Sequence, residues 1–422
     1  MKKSGKYISN IFRKMIALFQ KNLFLRNAKG IIYYVDSILL LFIKKESYKK
    51  QKKKQILLIY NLAFGDGVIW RCSAMNLRKV YPKDKYEITL ICQKGINKLY
   101  EKDDTYDKII PIDFNKATIN IKERISNFKI LRSNYYDIVL DPVGISEWTT
   151  NVLYTHAALA NEKIGLIDNT IEFHCSRKKI NKIYNKIIEI NKPNISLIDY
   201  YNTFISNLST NKLNIKPRLE KLKTTKTKLE MPKDYFIVFP CASIDLKKWP
   251  IERYAKLAEK IYNKTKYKLV LVGTEVDKPS IEEFKEKISI PYLDLVCKTT
   301  LNDYIDIISN AKMIITNDTS AYHIAVVEET PVALIVGMYT YDRYALYQFE
   351  GCEKYKRPYI VASVDRKCKN CNNRCKYLKK TDKIWPCLEE IDVDYAWQIV
   401  EKLIIDNYGG KDGHRKTKTN NK

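Results

Sequence analysis

Two long runs of this chain alternate short apolar segments with helical patterns, and this alternation constrains the fold more than any other feature. In the first run, apolar segments predict strands at residues 56–60, 87–92, 108–112, 136–141 and 163–166. In the second run they predict strands at residues 235–240, 268–272, 293–296, 313–316, 332–336 and 359–363. Strands that alternate with helices form parallel sheets covered by helices on both faces. The sequence therefore predicts an α/β protein of two doubly wound, Rossmann-like domains that face each other across a ligand-binding cleft.

Changes in composition predict where these domains begin and end. We expect a basic leader at residues 1–54 and a first domain at 55–215. A linker rich in Lys and Thr follows at 216–233, and its prolines are typical of an exposed connection. The second domain is predicted at 234–408, and a polar, disordered tail at 409–422.

The charge of the chain points to an anionic partner. Its 422 residues contain 75 Lys and Arg against 48 Asp and Glu, a formal net charge of +27. Such a surplus suits a nucleic acid, an anionic membrane or a phosphorylated substrate. Much of the Lys lies at the two ends, and no nucleic-acid recognition module is recognisable, so no nucleic-acid partner is expected. The competing hypothesis, a basic nucleic-acid-binding protein, would need aromatic platforms on a basic face.

The leader has an amphipathic pattern. Lys and Arg occupy the other faces of the predicted helix. The apolar residues that recur at helical spacing are Ile8, Phe12, Met15, Phe19 and Leu23. Two interpretations stay open: a helix that lies on an anionic membrane surface, and a helical extension packed on the core. No signal peptide is evident, and the longest apolar stretch, residues 31–43, is too short to span a bilayer and contains Asp36. We therefore expect a cytoplasmic protein, peripheral on the inner face of the cell membrane.

A polar turn, Asn317-Asp318-Thr319-Ser320, follows one apolar segment of the second run and precedes a helical one. Free backbone amides at a helix N-terminus favour an anion such as a diphosphate. A plain N-cap made by Asp318 or Thr319 is the alternative.

A second turn, Gly65-Asp66-Gly67, follows the first predicted strand. Glycines permit positive φ and a close approach to the backbone, and open α/β sheets bind ligands at the carboxyl ends of their strands. Here too the alternative is an Asp that only caps a helix.

Together with Pro240-Cys241-Ala242-Ser243 and Lys247-Lys248-Trp249-Pro250, these turns resemble glycosyltransferase family nine, the lipopolysaccharide heptosyltransferases of GT-B fold. The resemblance covers about residues 55–395. The chain departs from the family pattern at Cys241 and Ser320, where the family has glycine.

The resemblance implies an inverting, metal-independent transfer of a heptose-like sugar from a nucleotide-diphosphate donor, ADP-heptose in known members. The acceptor would be a lipopolysaccharide core or a related lipid-linked glycan. A different nucleotide sugar and acceptor, or a nucleotide-sugar epimerase, remain alternatives. The first domain would bind acceptor and the second donor. Asp66 would be the general base, with Gly65 and Gly67 in the acceptor-side loop. The donor would contact Ser243, Lys247, Glu275, Asp318, Thr319, Ser320, Ala321 and His323.

Two further features concern metals. Cys368, Cys371, Cys375 and Cys387 lie close in sequence and suit a structural zinc ion. An iron–sulfur cluster, disulfides and plain thiols are the alternatives. Asp392 and Asp394 resemble a metal-binding Asp-x-Asp pair, but they precede a helix, which predicts a cap. No cofactor is expected to be required for catalysis.

Overall fold

The computed structural model describes residues 23–209, 213, 215–363, 368–372 and 374–409. Contacts divide the chain into two compact units. The first comprises the chain up to Ala63, Ala74–Pro193 and Tyr200–Ile215. The second comprises Phe64–Ser73, Asn194–Asp199 and the chain from Lys216 onward. The segment that carries Asp66 therefore belongs to the second unit, although it directly follows a strand of the first.

The first unit contains a parallel sheet. Its six strands are β1 Lys54–Tyr60, β2 Tyr86–Gln93, β3 Lys108–Ile112, β4 Tyr135–Leu140, β5 Leu159–Asp168 and β6 Lys186–Ile190. They lie in the order β3-β2-β1-β4-β5-β6, so the winding reverses between β1 and β4. Strand β1 is buried from Gln55 to Tyr60, as expected of a central parallel strand covered on both faces.

Eight helices precede, connect or follow these strands in the described part of the chain. They are α1 Leu23–Leu41, α2 Phe64–Ala74, α3 Leu77–Val80, α4 Phe114–Ala117, α5 Ile121–Arg132, α6 Thr150–Ala157, α7 Arg177–Ile183 and α8 Leu197–Ser206. Sequence reasoning did not predict β6, because its segment, Lys-Ile-Ile-Glu-Ile, is short and lies in a stretch without a recognisable motif.

Helix α1, in the leader, packs one face on the core of the first unit. The buried Asp36 carboxylate accepts hydrogen bonds from the Arg124 guanidinium, with Nε 2.6 Å from Oδ1. Arg132 donates to the carbonyl oxygens of Leu40 and Ile43, at 2.5 and 3.2 Å, and so satisfies groups at the end of the helix. The apolar residues predicted at positions 8–19 lie outside the described residues.

The second unit contains another parallel sheet of the same winding. Its strands are β7 Tyr235–Phe239, β8 Lys268–Leu271, β9 Tyr292–Asp294, β10 Met313–Thr316, β11 Val332–Ile335 and β12 Tyr359–Val361. They lie in the order β12-β11-β10-β7-β8-β9. Both sheets have the strand order of dinucleotide-binding folds, and the prediction of two doubly wound parallel domains is confirmed.

The helices of this unit follow the predicted pattern closely. They are α9 Ile251–Thr265, α10 Lys278–Lys285, α11 Leu301–Ser309, α12 Ser320–Val327, α13 Pro386–Glu389 and α14 Val393–Tyr408. Short 3₁₀ turns cover Asp245–Lys247 and Met338–Thr340. The predicted tail beyond residue 409 lies outside the described residues. Throughout the described chain, no helix combines the length and apolarity needed to cross a bilayer.

Candidate functional site

Two of the sequence motifs meet at the carboxyl ends of β7 and β10, which are hydrogen-bonded neighbours. The fully buried Asn317 joins the loops that follow these strands. Its Oδ1 accepts from the backbone N of Trp249 at 3.2 Å, and its Nδ2 donates to the carbonyl of Cys241, also at 3.2 Å. Asn317 therefore holds both loops in register with the start of α12.

Lys247 and Asp318 form an ion pair within this loop cluster. The Lys247 Nζ lies 3.2 Å from Asp318 Oδ2, and the two side chains are only 14 % and 7 % exposed. The same Nζ lies 5.0 Å from the centre of the Tyr339 ring, within cation–π distance. Burial alone would raise the pKa of the Asp318 carboxyl, but Lys247 and His323 outweigh it and hold that pKa well below its usual range. Asp318 is thus a carboxylate over the whole physiological pH range.

His323 connects this pair to a tyrosine. Its Nε2 lies 3.7 Å from Asp318 Oδ1, and its Nδ1 lies 2.8 Å from the Tyr347 hydroxyl, a hydrogen-bonding distance. Burial raises the pKa of Tyr347 well above its ordinary value, so the hydroxyl keeps its proton. Tyr347 and Asp318 together fix the plane of the imidazole.

The start of α12 is not a plain capped helix. Thr319 occupies the N-cap in an extended conformation, and its side chain makes no capping hydrogen bond to the backbone of the first turn. Its hydroxyl lies instead 3.1 Å from that of Thr316. Asp318 is engaged with Lys247. The alternative of a side-chain N-cap is therefore wrong here, and the amides of Ser320 and Ala321 begin an uncapped helix, an environment that favours an anion.

Asp66 lies in the first turn of α2, and this corrects one expectation. Gly65 and Gly67 were expected to supply positive φ in a turn, but both lie inside the helix. The expectation of a close approach holds for Gly65: a Cβ there would lie 3.0 Å from His323 Cδ2 and 3.4 Å from the Ser320 Cα. The N-termini of α2 and α12 therefore lie in contact, and a side chain at position 65 would fit only if the His323 ring gave way by a few tenths of an ångström.

Electrostatic coupling ties Asp66 to the same cluster. Burial, with a smaller contribution from Asp318, raises the pKa of the Asp66 carboxyl, while His323 and Lys247 oppose the rise. A carboxyl with a raised pKa is a better proton acceptor than an ordinary surface aspartate. The site thus combines a basic carboxylate with cationic and dipolar groups.

The comparisons with known proteins fit this geometry. The sequence matches the family described as glycosyltransferase family 9 (heptosyltransferase) over residues 124–381, more than half of the chain. The chain belongs to glycosyltransferase family 9. The family resemblance inferred from the motifs is thereby confirmed, although the matched segment begins after Asp66.

Individual relatives are distant. The chain is 35 % identical over 95 residues to lipooligosaccharide heptosyltransferase 2 of Haemophilus influenzae, which spans 22 % of this chain and 27 % of that protein. The match thus covers about a quarter of the relative. A family 9 glycosyltransferase from Veillonella parvula superposes with a TM-score of 0.66 at 16 % identity, over 85 % of this chain and all of that one. The ADP-heptose lps heptosyltransferase II of E. coli superposes with a TM-score of 0.58 at 16 % identity, over 83 % and 99 %.

Two further residues of this family 9 chain were predicted to contact the donor. Ser243 and Glu275 are exposed in the loops after β7 and β8. Glu275 accepts a hydrogen bond from the thiol of the exposed Cys297. Their roles in donor binding stay predictions.

Several predictions about packing can be compared with the structure. The Trp249 ring is fully buried and its Nε1 donates to the carbonyl of Ile391 at 2.8 Å, so Trp249 is a packing residue. Asp392 caps α14 through the backbone N of Tyr395, as expected of a residue that precedes a helix. Cys241, at the family's glycine position, is buried with its Sγ 3.8 Å from the carbonyl of Asp277.

The four late cysteines line a single small cavity, together with Met338, Tyr339 and Trp385. Cys387 Sγ accepts from the backbone N of Met338 at 3.3 Å. The donor set fits a tetrahedral thiolate site. As they stand, however, no three or more Cys, His, Asp or Glu side chains in the described part of the chain form a group that could hold a metal ion.

Sequence reasoning missed three residues of this site. Asn317 belongs to one of the sequence motifs, but the hydrogen bonds by which its side chain joins two loops were not predicted. Tyr339 and Tyr347 lie in irregular segments after β11, where nothing in the local pattern marks them out. Only the folded chain brings them to Lys247 and His323.

Proposed function

We propose that this chain is an inverting glycosyltransferase that moves a heptose-like sugar from a nucleotide-diphosphate donor to a lipid-linked glycan. The observation that carries the proposal is the cluster at the start of α12. There Asp66, with its raised pKa, is coupled to the Lys247–Asp318 pair and to His323. Sugar transfer needs a base for the acceptor hydroxyl and positive charge for the departing diphosphate, and this cluster contains both kinds of group.

The donor side of the reaction would use Lys247 and the N-terminus of α12. The diphosphate gains negative charge as the glycosidic bond breaks, so cationic and dipolar groups stabilise the transition state more than the ground state. Asp318 offsets part of the Lys247 charge. A donor would therefore rely on the helix amides and on the Lys247 ammonium together, and no divalent metal is required in this scheme.

The acceptor side would use Asp66. Its carboxylate would take the proton from the acceptor hydroxyl as that oxygen attacks the anomeric carbon. Attack opposite the leaving group forms one C–O bond, breaks another and inverts the configuration. The raised pKa of Asp66 brings its basicity closer to that needed near neutral pH.

The names of two relatives support the choice of donor and acceptor. One is described as an ADP-heptose lps heptosyltransferase and the other as a lipooligosaccharide heptosyltransferase. We therefore propose ADP-heptose as the donor and a lipopolysaccharide-core or related glycan as the acceptor, encountered at the inner face of the cell membrane.

Donor preference tests this proposal. Purified protein is heated with ADP-heptose, ADP-glucose, UDP-N-acetylglucosamine and GDP-mannose in turn, and unfolding is monitored. A bound donor stabilises the native state by about 2.7 kcal/mol at a hundred times its dissociation constant. We expect ADP-heptose to raise the melting temperature most, and the product of turnover to have the opposite anomeric configuration by NMR. A chain that no nucleotide sugar stabilises would contradict the proposal, and stabilisation by another sugar alone would change the donor.

We also propose that Cys368, Cys371, Cys375 and Cys387 bind a structural metal ion, with zinc as the expected metal. The placement of four cysteine side chains around one cavity supports this, because thiolates are the ligands that structural zinc prefers. Metal analysis of protein purified without added metal should find about one ion per chain. C368S/C371S should lose the ion and melt at a lower temperature, whereas C297S, at an exposed cysteine outside the cluster, should retain both. A metal-free wild type would exclude the metal site.

A further inference from the structure

Helix α1 carries apolar side chains on two opposite faces. The inner face, with Leu40, belongs to the core of the first unit, as does Ile43 just after the helix. On the outer side, Ile31, Ile38 and Leu41 are 62 %, 57 % and 77 % exposed, and Phe42, just after the helix, is 84 % exposed. Tyr34 and Val35 are also exposed. Exposed apolar side chains grouped in this way mark a binding surface more often than a plain solvent-facing one.

The outer face is held at a fixed orientation. The Asp36–Arg124 ion pair and the Arg132 hydrogen bonds fasten the helix to the core. Ser37 Oγ also lies 3.2 Å from His156 Nε2 on α6. Rotating α1 to bury its outer face would break the buried Asp36–Arg124 pair, and leaving a buried charge without its partner is strongly unfavourable. The outer face therefore cannot be buried in this unit's own core.

Positive charge follows these apolar side chains directly along the chain, and one further lysine lies beside them. Residues 44–54, which directly follow, contain seven lysines and one glutamate. Lys179 adds a further cation, with its Nζ 4.1 Å from the centre of the exposed Tyr34 ring. Apolar side chains bordered by lysines are the combination that inserts into the headgroup region of anionic lipid bilayers.

We propose that the outer face of α1 and the lysines of residues 44–54, here called the lipid-facing surface, dock this protein on an anionic phospholipid bilayer. The apolar side chains would enter the boundary between headgroups and acyl chains, and the lysines would lie over lipid phosphates. This deepens the proposed function, since it rests on an acceptor that is presented in a membrane. The proposal adds to that function the surface by which the protein would bind the membrane, and this surface forms part of the first unit.

Vesicle binding tests the proposal without any transferase activity, so that it can fail independently of the proposed function. Wild-type protein is sedimented with vesicles of phosphatidylcholine alone and with vesicles that also contain phosphatidylglycerol. We expect binding to the anionic vesicles only, and weaker binding at higher salt because screening reduces the lysine contribution.

Matched variants locate the surface. I38E/L41E should weaken binding to the anionic vesicles at least about tenfold, because charged side chains do not enter the apolar layer. I405E places the same charge at an exposed isoleucine of α14, 54 % exposed, and should bind like the wild type. K49Q/K50Q/K52Q should weaken binding by about fivefold per lysine and lower its salt dependence. Circular dichroism and melting temperature verify that each variant is folded.

Three outcomes would overturn the proposal. Equal binding by wild type and I38E/L41E would show that the outer face does not contact lipid. Loss of all binding on deleting residues 1–22, with I38E/L41E unaffected, would assign the membrane contact to that segment instead. Failure to bind vesicles, together with a wild-type dimer that I38E/L41E converts to a monomer in light scattering, would show that a second copy covers the face.

Discussion

Lys247 and Asp318 lie 71 residues apart in the chain, yet their side chains form an ion pair with Nζ 3.2 Å from Oδ2. The pair joins the loop after β7 to the turn that starts α12. It is nearly excluded from solvent, so its charges interact more strongly than those of a surface pair. Asp318 consequently decides how much of the Lys247 charge is available to an anion at the helix N-terminus.

Replacing Lys247 with alanine should weaken donor binding at least about tenfold, because the nucleotide diphosphate loses its nearest ammonium group and meets an uncompensated carboxylate. The same variant should be less stable by about 2 kcal/mol, since Asp318 is left largely buried without its partner. Calorimetric titration with ADP and chemical denaturation measure the two effects.

Lys248→Ala is the matched control for that variant. Its Nζ contacts Ser280 and the exposed Asp245 rather than Asp318. Donor affinity close to wild type is expected for it. If both variants bound ADP as the wild type does, Lys247 would have no part in the donor site.

Asp66→Asn should lower turnover by about a hundredfold or more, because an amide cannot take the acceptor proton. Donor affinity should fall little or even rise, since the change removes a negative charge coupled to the site. Turnover is followed by release of the nucleotide diphosphate, and donor binding by calorimetry. Asp245→Asn, at an exposed carboxylate in the loop after β7, is the control. Near-normal turnover in Asp66→Asn would remove this residue from the mechanism.

The sequence predicted the sheets well because apolar segments flanked by helical patterns report directly on burial. Segments such as Met313–Thr316 and Tyr235–Phe239 were identified almost to the residue. The ion pair between Asp318 and Lys247 could not be predicted from the local sequence, because only the pairing of β7 with β10 brings the two residues together. The role of Gly65 was misjudged for a related reason: its close neighbours are Ser320 and His323, which are more than 250 positions away in the sequence.

Gly65→Ala should therefore behave unlike an ordinary substitution of a helical glycine. Alanine in a helix interior is normally favoured over glycine by about 1 kcal/mol. At Gly65, however, the new Cβ would lie 3.0 Å from His323 Cδ2, so the imidazole or the α2 backbone must move. We expect turnover to fall by about tenfold with little gain in stability.

Gly30→Ala provides the contrast. Gly30 also lies in a helix, and its added Cβ would make an ordinary contact with Trp148 at 3.6 Å. This variant should be stabilised by about 0.5–1 kcal/mol in chemical denaturation, with unchanged turnover. Equal behaviour of the two alanine variants would show that Gly65 is not constrained by His323.

His156 should make the stability of the chain sensitive to acid. Burial, together with the cations Lys163 and Arg132, lowers the pKa of this imidazole to about 4. An unfolded histidine titrates near 6.5, so between pH 6.5 and 4 the unfolded chain binds a proton that the folded chain does not. The free energy of unfolding should therefore fall as the pH drops through this window, by about 3 kcal/mol from His156 alone.

Denaturation curves at pH 7 and 4.5 should show a smaller drop in the free energy of unfolding for His156→Gln than for the wild type. An equal drop in wild type and His156→Gln would mean that this imidazole is not held neutral in the fold.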